Sequence, residues 1–228
     1  VAVILLIEDD PLVSRGLQLA LTRYGNTVTT AATGEDGLRA CHETAPELVV
    51  LDVMLPDLDG FEVCRRLRAR GPVPIIMLTA RGDDFDVVAG LAAGADDYVT
   101  KPVRPAVLDA RIKAVLRRGG PRDSDRSNGA QTHGELEIDA AGAVVRKRGQ
   151  PVALTPIELR TLLALSAAPG RVFTRQQLLE QVWEHDYLGD SRLVDNCVQR
   201  LRAKIEDVPA EPVYVQTVRG FGYRFGPV

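Results

Sequence analysis

The chain predicts a doubly wound, five-stranded parallel α/β sheet followed by a smaller α+β domain, on three observations. From residue 3 to 118, short β-rich runs alternate with helical stretches, which implies right-handed crossovers onto one parallel sheet. Runs such as Leu48 to Leu51 are apolar without alternation, as strands covered on both faces are. Beyond residue 132 the pattern changes to strand-like pieces, three helical segments and a closing strand pair. With 228 residues, 45% of them hydrophobic, there is material for two cores.

In order, VILLI is the first strand and PLVSRGLQLALTRYG the helix that follows; TVTTA and GEDGLRACHET form the second pair. ELVVLD and GFEVCRRLRAR form the third, with Pro56, Asp57, Asp59 and Gly60 punctuating the turn between them. VPIIMLT leads to a fourth helix in DDFDVVAGLAAG, and DYVT to a fifth in RPAVLDARIKAVLRR. Residues 119–132, GGPRDSDRSNGAQT, are nearly free of large apolar groups and read as a linker between domains over 1–118 and 133–228. Strands follow within GELEIDAAGAVVRKRGQPVAL. The next helix has Thr155 as N-cap, Pro156 in its first turn and Glu158 completing a capping box. Thr174 caps a second helix, a third starts near Ser191 or Arg192, and VYVQTV and YRF close around the turn RGFG.

Net charge is −3, all of it from residues 1–120, because residues 121–228 sum to zero. Bulk charge therefore announces no nucleic-acid binder. A local patch does exist, since within 192–205 Arg192, Arg200, Arg202 and Lys204 stand against Asp195 alone. No apolar run is long enough to cross a bilayer and the N-terminal residues lack a secretory pattern, so a soluble, cytoplasmic protein without membrane partners is expected. Cys41, Cys64 and Cys197 are scattered and odd in number, which fits small apolar helix residues better than disulfides or a zinc site.

Chemistry concentrates at the carboxyl ends of the predicted strands, where open α/β sheets bind their ligands. The first strand ends in Glu8, Asp9 and Asp10, the third in Asp52, the fourth in Thr79, and the fifth in Lys101 followed by Pro102. Singly, each has an ordinary reading: an N-cap cluster, a turn residue, a solvated lysine. Jointly they assemble carboxylates, a hydroxyl and an ammonium. Clustered carboxylates need positive charge, and Mg²⁺ takes one or two carboxylates while retaining waters and accepting a phosphate. Asp52 can then act as nucleophile toward a phosphoryl group, with the cation and lysine neutralising charge on the transferring oxygens.

These motifs, LIEDD, LDVMLPDLDGFEVCRRLR, IIMLTAR, GADDYVTKP and ARIKAVLRR, resemble the receiver domain of two-component response regulators of the OmpR/PhoB type. The resemblance covers nearly the whole chain apart from the linker. It implies a flavodoxin-like receiver with Asp52 as phosphoacceptor and a sensor histidine kinase as phosphodonor. Mg²⁺ would be held by Asp9, Asp52 and the backbone carbonyl of Met54, with Glu8 acting through water. Thr79 and Lys101 would contact the phosphoryl group, Tyr98 would switch inward, and the Lys101–Pro102 peptide would be cis. Any enzymatic activity would be autophosphatase at most. The resemblance further implies a homodimer on activation, with Asp96, Asp97, Arg111 and Lys113 on its face. One family ion pair is replaced on both sides by Val87 and Val107, so the expected dimer depends less on salt.

In the third helix after the linker, Val194, Cys197, Val198, Leu201 and Ile205 share one stripe and are predicted to be core. Arg192, Asn196, Gln199, Arg200 and Ala203 lie opposite, and Arg, Asn and Gln can read base edges in pairs of hydrogen bonds. DSRLVDNCVQRLRAKIE and the RGFG hairpin resemble the family's winged helix-turn-helix domain. That likeness implies direct-repeat promoter DNA, major-groove entry by this helix, a minor-groove contact by Arg219, and a loop at His185–Asp190 touching RNA polymerase. Two rivals remain: a haloacid-dehalogenase-type phosphatase, disfavoured by Met54 where a second acid is needed, and a phosphorylation-independent dimeric winged-helix DNA-binding protein.

Overall fold

A computed structural model describes residues 1–79, 90, 92–117, 130–183 and 191–226. The chain forms two compact units, Val1–Leu116 and Arg117–Val228. Val87, the His185–Asp190 loop and most of the predicted linker and fourth helix lie outside the described residues.

In the first unit, strands β1 (Val3–Ile7), β2 (Thr27–Ala31), β3 (Leu48–Asp52), β4 (Ile75–Thr79) and β5 (Asp97–Thr100) form one parallel sheet in the order β2-β1-β3-β4-β5. β3 and β4 are buried at every position, as the unbroken apolar runs require. The order reverses between β1 and β3. At such a switch point the flanking crossovers leave on opposite faces, which opens a crevice beyond the strand ends. Polar side chains start the helices that follow. Asp10 accepts from Leu12 N and Val13 N, Thr33 from Asp36 N, and Asp59 from Phe61 N.

The second unit opens with an antiparallel sheet of β6 (Gln131–His133), β7 (Leu136–Asp139), β8 (Val144–Lys147) and β9 (Gln150–Pro151). Helices Pro156–Ser166, Arg175–Trp183 and Arg192–Ile205 follow. Thr155 and Glu158 form the predicted capping box. Thr174 and Gln177 cap reciprocally, Gln177 N donating to Thr174 Oγ1 at 3.1 Å and Thr174 N to Gln177 Oε1 at 2.9 Å. The wing hairpin, β11 (Val215–Val218) and β12 (Gly222–Phe225), gains a third strand not foreseen from sequence, β10 (Val172–Thr174). Gly222 permits this approach, because a Cβ there would sit 2.1 Å from Phe173 O.

Candidate functional site

The crevice beyond β1, β3, β4 and β5 gathers the acidic, hydroxyl and ammonium groups. Glu8 follows β1, Asp52 ends β3, Thr79 ends β4, and all three are buried. Glu8, Asp9 and Asp52 each bring a carboxylate oxygen within 4.8 Å of the others. Asp10, the remaining acid of the motif, is spent on capping the first helix. Lys101 reaches in from the end of β5, with Nζ 2.8 Å from Asp52 Oδ2. It also donates to Glu8 Oε1 at 3.2 Å and lies 3.0 Å from Oε2, a buried oxygen that accepts no hydrogen bond. The Lys101–Pro102 peptide is cis.

Burial raises the Glu8 pKa, and the neighbouring Asp52 charge adds to the effect against the opposing pull of Lys101. Burial works against the Lys101 charge, but hydrogen bonds to Asp52 and Glu8 outweigh it and hold the ammonium above its usual range. Three carboxylates facing one ammonium fit a hard divalent cation with oxygen ligands.

The loop after Asp52 is fixed tightly. Gly60 N donates to Val53 O at 2.9 Å, and a Cβ on Gly60 would fall 2.2 Å from Asp52 O. Asp57 spans to the second helix and accepts from Gly34 N and Glu35 N at 2.8 and 3.0 Å. Sequence reasoning treated Asp57 as a turn residue only, because its partners lie 22 and 23 residues away. The Met54 side chain, by contrast, is 74% exposed. Tyr98 is half-buried on β5, beside Met77 of β4.

On the expected dimer face, Val107 is 41% exposed and Arg111 donates to both Asp97 carboxylate oxygens, at 2.9 and 3.1 Å. Asp96 corrects the expectation. It is buried, accepting from Arg68 at 2.8 Å and from Ile75 N at 3.0 Å, while Lys113 pairs with Asp109 on its own helix. A short carboxylate just before the edge strand β5 is drawn to the nearest backbone donor and guanidinium inside its own domain.

On the helix Arg192–Ile205, Val194, Cys197, Val198, Leu201 and Ile205 are buried as predicted, joined by Leu193. Gln199 and Ala203 are exposed, and Arg192 and Asn196 half-buried, with Asn196 Nδ2 donating to Arg192 O. Arg200 departs from the outward face. Its Nε donates to Glu158 Oε1 at 3.2 Å, and Lys204 donates to Glu158 Oε2 at 2.6 Å. Glu158 is fully buried, and an unpaired charge there would be costly, so both cations turn inward. Arg202 is committed to the wing, donating to Val215 O and Thr217 Oγ1. Arg219 stands exposed at the wing turn.

The wing is tied to this helix by Tyr223, whose hydroxyl donates to Asp195 Oδ1 at 2.7 Å, the oxygen that also accepts from Arg175. Burial, then the Asp195 carboxylate, push the Tyr223 pKa up to about 12. The folded state therefore holds a proton that the unfolded state releases near pH 10, and stability falls as pH rises from about 10 to 12. The shift corresponds to about 2–3 kcal/mol. In Tyr223→Phe this component is missing, so the gap between wild type and variant in urea denaturation narrows across that window; a constant gap would contradict the coupling.

Two family models match the chain, "Response regulator receiver domain" over residues 4–113 and "Transcriptional regulatory protein, C terminal" over residues 149–225. It is 60% identical over 224 residues to the transcriptional regulatory protein AfsQ1 of Streptomyces coelicolor, covering 98% of each chain. Identity to the DNA-binding response regulator MtrA of Mycobacterium tuberculosis is 45% over 224 residues, covering 98% of this chain and 96% of that protein. Among solved structures, response regulator DrrB, an OmpR/PhoB homologue of Thermotoga maritima, matches with TM-score 0.51 and 40% identity over 98% of both chains. The chain belongs to the OmpR/PhoB-type response regulators of two-component systems, in which a receiver precedes a winged-helix DNA-binding domain.

Proposed function

We propose that Asp52 is the phosphoacceptor of a sensor histidine kinase, and that its phosphorylation drives receiver dimerisation and binding to direct-repeat promoter DNA. The observation that carries this reading is Asp52 itself, buried at the end of β3 with Lys101 Nζ at 2.8 Å and two further carboxylates beside it. With Lys101 on Oδ2, attack on phosphorus falls to Oδ1: a P–O bond forms, the P–N bond of a phosphohistidine breaks, and the imidazole leaves with the electron pair and takes up a proton. Asp9, Asp52 and the Met54 carbonyl would hold Mg²⁺, with Glu8 acting through water, and the bound cation supplies positive charge for the phosphoryl oxygens. Thr79 and Lys101 orient the product phosphoryl group, and Tyr98 carries the change toward the dimer face. The protein is a phosphoacceptor with at most autophosphatase activity. Its domains span 1–118 and 133–228, and it works in the cytoplasm with RNA polymerase as a partner at the promoter.

Affinity for direct-repeat promoter DNA, measured with and without Mg²⁺ and a small-molecule phosphodonor, tests this reading. Tighter, dimeric binding after phosphorylation is expected. A dimer of unchanged affinity in both states would favour the phosphorylation-independent alternative.

The dimer should also tolerate salt. Arg111 already pairs with Asp97 within the chain, Asp96 is buried, and Val107 is exposed at the position where the family resemblance implies an acid. Exposed ion pairs contribute about 0–1 kcal/mol and are screened, whereas burying Val107 against Val87 contributes on the order of 2 kcal/mol or more. Sedimentation of the phosphorylated chain is expected to give the same dimer fraction in low and high salt, and dissociation at high salt would sink the idea.

A further inference from the structure

We infer that Gln199 and Ala203 are the specificity-determining pair of the helix Arg192–Ile205 and read an A·T step in the DNA, in place of a guanine read by Arg200. The inference rests on the proposed entry of this helix into the major groove and names what it reads there. Three of the helix's cations are occupied within the domain: Arg200 and Lys204 by Glu158, and Arg202 by Val215 O, Thr217 Oγ1 and the face of the Tyr223 ring. Arg200 is only 15% exposed, and Glu158, which it neutralises, is fully buried. Releasing Arg200 to a base would withdraw that neutralisation from a carboxylate out of reach of water. Asn196 is half-buried and turns one of its two amide N–H groups back onto the carbonyl of Arg192.

Gln199 is different, being exposed, and its amide makes no hydrogen bond among the described residues. A glutamine amide sets an N–H donor beside a carbonyl acceptor, the complement of adenine N7 and N6 in the major groove, whereas guanine presents two acceptors there. Ala203 lies one turn further on the same outward face and is also exposed. Its methyl suits the C5-methyl of thymine. Four residues of helix rise about 6 Å, so the two contacts fall within one or two base-pair steps of each other. The side chains thus specify adenine under Gln199 with a thymine close by.

The test begins with selection of bound duplexes from a randomised pool by the full chain. Each conserved adenine is then replaced by 7-deazaadenine, which lacks N7, and each conserved thymine by uracil, which lacks the methyl. One 7-deazaadenine substitution is expected to weaken wild-type binding by at least about 5-fold, within the roughly 5- to 150-fold that a paired contact supplies. That substitution should leave Gln199→Ala binding unchanged, and Gln199→Arg should move the preference at this position to guanine. Uracil at one neighbouring site should weaken wild type but not Ala203→Gly. Gln199 and Ala203 are exposed, and thermal melting confirms that the variants fold. A selected guanine whose preference disappears in Arg200→Ala, with Gln199→Ala unchanged, would overturn the assignment while keeping the helix in the groove. Sites whose preferences no substitution on this helix alters would overturn the assignment and groove entry together.

Discussion

Asp52→Asn is expected to take up no phosphoryl group when incubated with Mg²⁺ and a small-molecule phosphodonor, whereas the wild type is expected to gain one, as read by intact mass. The amide nitrogen is a poor nucleophile, and its neutral oxygen is a weaker ligand for the cation. The fold should survive, because Asp52 sits among carboxylates served by one ammonium, and an amide oxygen can still accept from Lys101 at the position of Oδ2. Removing one of those negative charges relieves repulsion that burial has already made unfavourable at Glu8. The variant is therefore expected to melt at or above the wild-type temperature while losing all uptake. Uptake by both proteins would move the acceptor to another residue. Uptake by neither would leave an acidic site without its chemistry and favour the phosphorylation-independent dimer.

The receiver was legible because its signals are local and repeated. Each strand is a short apolar run, and its functional residue is the one that ends it or follows it, so finding the strand finds Glu8, Asp52 and Thr79. Asp57 was read only as a turn because its partners come from the start of another helix, and β10 was missed because three residues are too few to show alternation. The winged-helix face was half legible. A 3.6-residue period sorted Val194, Cys197, Val198, Leu201 and Ile205 inward and Gln199 and Ala203 outward. It failed at Arg200, whose long side chain folds back to a carboxylate 42 residues earlier in the chain. Asp96 failed likewise: the dipeptide Asp96-Asp97 looks uniform, yet one acid is taken by Arg68 and Ile75 N and the other by Arg111. Helical or strand phase fixes where Cβ points, while the end of a charged side chain goes to the partner that best offsets its desolvation.

Glu158 is where that rule has its largest consequence for stability. It accepts from Thr155 N, Arg200 and Lys204, so one buried carboxylate caps one helix and neutralises another. Glu158→Ala is expected to cost about 3–5 kcal/mol, the range for stripping one partner from a buried ion pair. The loss is readable in the second unit alone, because Trp183, buried there, is the chain's one tryptophan and its fluorescence in urea follows that unit's unfolding. Replacing the pair together, Glu158→Met with Arg200→Met, removes both charges and should recover most of the loss, leaving Lys204, which is 27% exposed, to water. The double variant also separates packing from reading. If Arg200 serves the fold, the recovered protein keeps the wild-type DNA preference; a stable double variant with altered preference would return Arg200 to the groove.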